Sequence, residues 1–216
     1  MPNVIKIEFV SDVSCPWCAV GYYELSDAIK QVSEDIEVSL SWLPFEINSE
    51  MSKEGMDVKS YLLSKYGMNE AQQLQSMKQI EERGKNAGFV FKPMVERHVY
   101  NSFSCHLLLH VAAERRLDTR LKTELFSAYF QQGKDISDEK LLTEIALNVG
   151  LNEAEIHHAF NDSNVANAVR ESIGKIKEAG ITGVPTLIIN NKYAISGAQG
   201  KDGYVDILKQ VNAEQS

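Results

Sequence analysis

"VSDVSCPWCAVG", Val10 to Gly21, places two of the chain's three cysteines where an apolar strand gives way to a helix. In the run before it Ile5, Ile7 and Phe9 share one face and Lys6 and Glu8 the other, the alternation of a strand. From Trp17 onward Leu25, Ile29 and Val32 recur at helical spacing, so Cys15 falls at a helix N-terminus with Cys18 one turn on. The unpaired backbone N–H groups and positive dipole end there favour an anion, so Cys15 is expected to ionise more readily than an ordinary thiol and to be the nucleophile. The i, i+3 spacing lets Cys18 attack a mixed disulfide formed at Cys15. Pro16 suits the first turn, having no N–H to leave unsatisfied. Three readings are open to such a pair: disulfide exchange, half of a zinc site, or inert packing. A structural zinc needs four ligands, and neither Cys105-His106 nor His157-His158 forms a recognisable second half, so no metal is expected.

Outward from this stretch, Ile36, Val38, Leu40 and Trp42 alternate on one face of a second strand that Pro44 ends, giving a β-α-β opening. From about Asp57 to Gly180 the pattern is helical, with Gly67, Gly88, Gly133 and Gly150 as expected C-caps. Asn69 with Gln72 and Asn152 with Glu155 read as capping boxes. "KPMVERHVYN" is the one irregular stretch inside this block. Strand patterning returns in "PTLIIN" and "KYAISG", joined by Asn190-Asn191 as a tight hairpin turn, and a last helix covers roughly Asp202 to Asn212. No internal repeat or low-complexity segment interrupts this order.

The chain has 216 residues and a net charge of −8, with no basic stripe to neutralise phosphates, so nucleic acid is not an expected partner. "MPNVIKIEFV" lacks the features of a signal peptide, and no apolar run reaches the ~18 residues of a membrane span; a cytoplasmic location is expected, with no membrane partner. Thiols are kept reduced there, which turns the C-x-x-C spacing toward catalysis or metal binding rather than stapling.

Pro185, at the start of the late hairpin, completes the pattern: β-α with C-x-x-C, then Pro-β-β-α, is the order of the thioredoxin fold. With a helical insert between the two halves, the chain resembles the DsbA family, and within it the FrnE-like group of cytosolic oxidoreductases. The matching stretches are "SDVSCPWCAVG", "WLPFEINSEMSKEG", "NSFSCHLL", "GVPTLIIN" and "KYAISGAQ". The expected fold is therefore α/β, a thioredoxin fold (residues 1–50 and 163–216) with a large all-helical insertion (51–162). The resemblance implies dithiol–disulfide exchange with Cys15 attacking, Cys18 resolving and Pro185 in the cis form. It also implies that Val184 offers its backbone to an extended protein or peptide substrate, a strand-addition mode that is largely sequence-independent. No cofactor is implied beyond the cysteine pair, with glutathione as a redox partner; the oligomeric state is left open.

Two departures matter. Pro16-Trp17 stands where DsbA carries Pro-His, and an indole cannot replace the imidazole's help to a thiolate. A couple less oxidising than DsbA's roughly −120 mV is expected, with a Cys15 pKa below ~8.5. The same fold also serves glutathione-dependent isomerases (2-hydroxychromene-2-carboxylate isomerase) and kappa-class transferases, which usually carry one serine in place of the pair and a Gly-x-Asp segment in the late hairpin. Here both cysteines are present and Gly197-Ala198-Gln199 stands in that segment. A thiol sensor that does not turn over is a third reading.

Glu8 is a candidate to shuttle the proton of the second thiol, against the plainer reading of a solvent-facing strand residue. Asp12 reads as a turn or capping residue. His106 is expected near the cleft, making a structural hydrogen bond or touching substrate. Cys105 reads as a small buried hydrophobe, Trp42 as core, and Trp17 as partly exposed beside Cys15.

Overall fold

β1 (Ile5–Ser11) buries Ile5, Ile7 and Phe9 and is a central strand of the sheet. It pairs in parallel with β2 (Val38–Pro44), reached through α1 (Pro16–Val32), and antiparallel with β5 (Thr186–Ile189). β5 turns into β6 (Tyr193–Ser196), giving the order β2-β1-β5-β6. Asn190 and Asn191 both take positive φ, 52° and 53°, as a two-residue hairpin turn of this hand requires. α9 (Lys201–Ala213) then packs beside α1. The computed structural model describes residues 4–52 and 54–215.

Between β2 and β5 lie α2 (Val58–Tyr66), α3 (Glu70–Asn86), α4 (Phe103–Glu114), α5 (Asp118–Phe126), α6 (Glu139–Val149), α7 (Glu153–Asn161) and α8 (Ser163–Glu178). Both expected capping boxes form, on α3 at Asn69/Gln72 and on α7 at Asn152/Glu155. Gly67 and Gly150 close α2 and α6 in the left-handed conformation. Gly84 has a different reason: a Cβ there would fall 2.3 Å from the Phe91 ring, so only glycine lets that segment lie against α3.

The insertion is helical with one exception. The two-residue strands β3 (Met56–Asp57) and β4 (His98–Val99) pair antiparallel, and β4 lies in the stretch that breaks helical periodicity in the sequence. Pro93 and the 3-10 turn Met94–Glu96 leave that backbone without a helix's internal bonds, and the short ladder, with Val58 N–H donating to the Arg97 carbonyl, takes them up. After α5 the chain widens into a π turn, Ser127–Gln131, which carries Tyr129 and Phe130 into the core. One apolar core runs from Ile5, Phe9 and Cys18 to Leu108, Leu121 and Phe126 of the insertion, so the helices pack on the sheet.

Candidate active site

Cys15 is the N-cap of α1, with extended backbone, and Pro16 occupies the first turn. The Val184–Pro185 bond is cis, and the Cys15 Sγ–H donates toward the Val184 carbonyl at 3.7 Å. Gly21, on the same helix, brings α1 close to this loop: a Cβ there would meet the Pro185 ring at 3.5 Å and the Ala198 Cβ at 3.4 Å. Cys18 is fully buried and Cys15 is 4% exposed; both are free thiols. The cysteine pair and Pro185, distant in sequence, thus meet at one end of the central strands β1 and β5.

The expected easy ionisation of Cys15 is reversed. A hydrogen bond to Cys18 and then burial push the Cys15 thiol well above the usual range, with the charge of Cys18 and of Asp12 adding to this. The helix terminus is present, but it acts on a sulfur removed from water and facing a second sulfur.

The acid beside the pair is Asp12, not Glu8. Glu8 sits half-buried on the other face of β1, opposite Ser41 and Ile188, in a depression shared with Lys6, Ser39 and Asn190. Asp12 is fully buried. Its Oδ1 accepts from Ser14 N–H at 2.8 Å, the expected local turn, and its Oδ2 accepts from Ile47 N–H at 2.7 Å, tying the loop after β2 to the redox helix. His106 on α4 is 2% exposed with Nε2 3.9 Å from Asp12 Oδ1, and burial first, then the nearby Lys122 cation, lower its pKa to about 4. It is a neutral imidazole of the interior. Cys105, its neighbour, is buried with Sγ–H donating to the Ile136 carbonyl, and burial pushes its thiol far up.

Trp17 is half-buried, as expected, and its ring has a cationic neighbour from the insertion. The Arg83 guanidinium of α3 lies 5.5 Å from its ring centroid. Arg83 is itself fixed by Glu24, with bonds of 2.7 and 3.1 Å, and by the Ala198 carbonyl at 2.8 Å, while Glu24 also accepts from Gly200 N–H. On another side Arg97 donates to the Ser14 carbonyl at 3.3 Å and to the Tyr129 hydroxyl, which the π turn positions. None of Arg83, Glu24, Arg97 or Lys122 stands out in the sequence as a motif. The usable signal was periodicity: Lys122 sits four residues before Phe126 and three before Leu125, on the buried side of α5. Among the described residues no group of three or more His, Cys, Asp or Glu is placed to hold a metal ion, and no helix is long and apolar enough to cross a membrane.

The chain is similar to known proteins in sequence and in fold. Protein YwbO of Bacillus subtilis is 32% identical over 199 residues, 92% of each chain. SCO1869 of Streptomyces coelicolor, described as a probable DsbA oxidoreductase, superposes with a TM-score of 0.88 over 98% of this chain and 92% of that one, at 27% identity. The fold is shared as well with the cytosolic disulfide reductase DsbM of Pseudomonas aeruginosa, solved with glutathione (TM-score 0.64, 17% identity, 95% and 98% of the two chains). The family described as DSBA-like thioredoxin domain matches residues 6–209, nearly the whole sequence, and the chain belongs to that family.

Proposed function

We propose that this protein is a thiol–disulfide oxidoreductase that exchanges the Cys15–Cys18 dithiol with the disulfides of protein or peptide substrates. The observation that carries this reading is the juxtaposition of Cys15, at the first turn of α1, with Cys18 beneath it and the Val184 carbonyl 3.7 Å from its sulfur. Cys15 attacks a substrate sulfur, Cys18 then attacks Cys15 in the mixed disulfide, and two substrate thiols leave. Val184 and Pro185 form the edge along which an extended substrate segment lies, paired through its backbone.

The setting proposed is the cytoplasm, with glutathione as the redox partner of the pair. The fold shared with a cytosolic reductase solved with glutathione supports this choice. A glutathione-dependent isomerase of the same fold is the competing reading, since 2-hydroxychromene-2-carboxylate isomerase superposes with a TM-score of 0.65 at 14% identity. Two thiols in the first turn of α1 favour exchange over that chemistry.

The test is catalysis of insulin reduction by dithiothreitol. Wild type accelerates it, Cys15→Ser abolishes the effect, and Cys18→Ser accumulates mixed disulfides that appear as mass adducts. Wild type without acceleration, or Cys15→Ser with full activity, refutes the reading. A protein that binds glutathione tightly yet does not exchange thiols belongs to the isomerase class instead.

A further inference from the structure

Small side chains on two packed helices leave room that a folded interior otherwise fills. Ala113 on α4 and Ala168 and Ser172 on α8 stand around a cavity of about 170 Å³, walled on its β2 side by Trp42. The Trp42 indole N–H donates to the Thr119 hydroxyl at 2.9 Å, which ties β2 to α5, and α5 contributes Asp118 and Lys122 to the lining. Neither cysteine of the redox pair lines this cavity.

Two polar side chains inside it are buried without the partners that burial calls for. Lys122 is 1% exposed, with its ammonium 5.1 Å from the Trp42 ring centroid and 5.3 Å from that of Phe126. Among the described residues no hydrogen bond or ion pair joins that ammonium to an oxygen. His106 is 2% exposed, and its Nε2 has no hydrogen-bond partner. Ring faces return only part of the hydration that a buried ammonium gives up, and a well-placed carboxylate returns more. Asp12, 3.9 Å from His106, already accepts from the Ser14 and Ile47 N–H groups. Asp118 stands nearer the surface, one turn before Lys122 on α5. The cavity thus has a cation at its inner end, an acid toward its outer end, and the apolar Leu109 and Val169 in its walls.

We propose that this cavity is a binding site for a small monocarboxylate whose apolar body is a single six-membered ring, the carboxylate accepting from the Lys122 ammonium and the ring lying against Trp42, Leu109 and Val169. Size sets the upper limit. An apolar cavity of ~150 Å³ takes benzene, and drug-sized ligands occupy ~300 Å³ or more. A volume of about 170 Å³ therefore admits one ring and excludes a tripeptide or an extended substrate segment. Charge sets the sign. Lys122 favours an anion at the inner end, whereas a cationic head stops at Asp118. His106 is neutral, its pKa lowered to about 4, so it does not compete for the carboxylate as a second cation. Its Nε2 and the Ser172 hydroxyl are left for a polar substituent on the ring. The inference is independent of the exchange reading, since it uses no cysteine and no redox step.

The experiment uses benzoate as the probe, with toluene and benzylamine as ring-matched controls. It reads the melting temperature of the full chain and the fluorescence of Trp42 in a Trp17→Phe background. Trp17 and Trp42 are the chain's two tryptophans, so in that variant the signal comes from the cavity wall. Benzoate is expected to raise the melting temperature with concentration, as a ligand of the folded state does, and to change the Trp42 emission saturably. Toluene is expected to bind about tenfold more weakly, for want of the charge-assisted hydrogen bond, and benzylamine more weakly still. Lys122→Met is expected to lower the affinity for benzoate about tenfold and leave that for toluene within a few-fold, so the preference disappears. A role of Lys122 in packing alone weakens both probes alike, which overturns the proposal. Ala168→Leu fills the cavity, keeps the lysine, and is expected to abolish binding of every probe. Wild type that responds to no probe, the result of a cavity that takes only water, overturns the proposal. So does benzylamine binding more tightly than benzoate, or benzoate affinity unchanged in Ala168→Leu. If Lys122→Met does not fold, the order of the three probes on wild type and their loss in Ala168→Leu decide.

Discussion

His106 offers a test of the buried cluster that needs no substrate. Its imidazole titrates at about 4 in the folded chain, against the usual 6.5, because it is buried and faces the Lys122 cation. On acidification the unfolded chain takes up this proton first, so folding is penalised as the pH falls. Above about pH 6.5 both states are neutral and the residue contributes no slope. Between 6.5 and 4 stability drops by about 1.4 kcal/mol per pH unit, reaching about 3 kcal/mol at the bottom of the window. The perturbation is His106→Asn, which removes the imidazole, compared with wild type by urea unfolding of the reduced proteins from pH 7.5 to 4. Carboxylates common to both chains add the same slope to each, so the difference between the profiles isolates His106. Wild type is expected to lose about 3 kcal/mol more than the variant across that window. Parallel profiles refute the argument, because they mean that His106 gains its proton as easily in the folded chain as in the unfolded one.

Two further outcomes follow from the same geometry. Trp17→His is expected to make the couple more oxidising, because an imidazole beside Cys15 supplies a hydrogen-bond donor to the thiolate that the arginine-stacked indole does not; an unchanged or more negative potential in glutathione buffers refutes it. Gly84→Ala is expected to cost about 1–3 kcal/mol in urea unfolding, since its methyl falls 2.3 Å from Phe91; wild-type stability refutes that packing.

What could be read from the sequence was local. A helix start, a proline before a strand and an Asn-Asn turn each follow from rules that span a few residues, so Cys15, Cys18, Pro185 and the hairpin were legible, and so was the β-α-β frame. Asp12 shows the limit: its bond to Ser14, two residues on, was foreseeable, whereas its bond to Ile47 across 35 residues was not. Local rules therefore point to a strand acid, Glu8, whereas the buried acid stands in the loop at Asp12. The ionisation of Cys15 was argued from the helix terminus, which sequence position reveals. Burial and the second sulfur, which only the fold reveals, outweigh it. A lysine on an amphipathic helix is by default solvated, and only the way Leu121, Leu125 and Phe126 flank Lys122 marks it as turned inward.

The insertion sets two cations against aromatic rings, Arg83 at Trp17 and Lys122 at Trp42 and Phe126, and their surroundings differ. Arg83 meets Glu24 through two hydrogen bonds, so its charge is matched locally, and what it gives Trp17 is orientation. Lys122 is buried against two rings, 5.1 Å from the Trp42 centroid and 5.3 Å from that of Phe126, so what it contributes lies in the packing between β2 and α5. The first contact orients the indole beside Cys15, and the second lies in the packing of Trp42 on β1 and α1. The core is continuous from β1 to α5, so Lys122 cannot be withdrawn without opening the packing around Trp42 and Phe126. A thioredoxin core stripped of its helices would keep the cysteines and the proline but lose the Arg83 clamp at Trp17 and the packing of α5 on Trp42, so the helical block belongs to the surroundings of the redox helix.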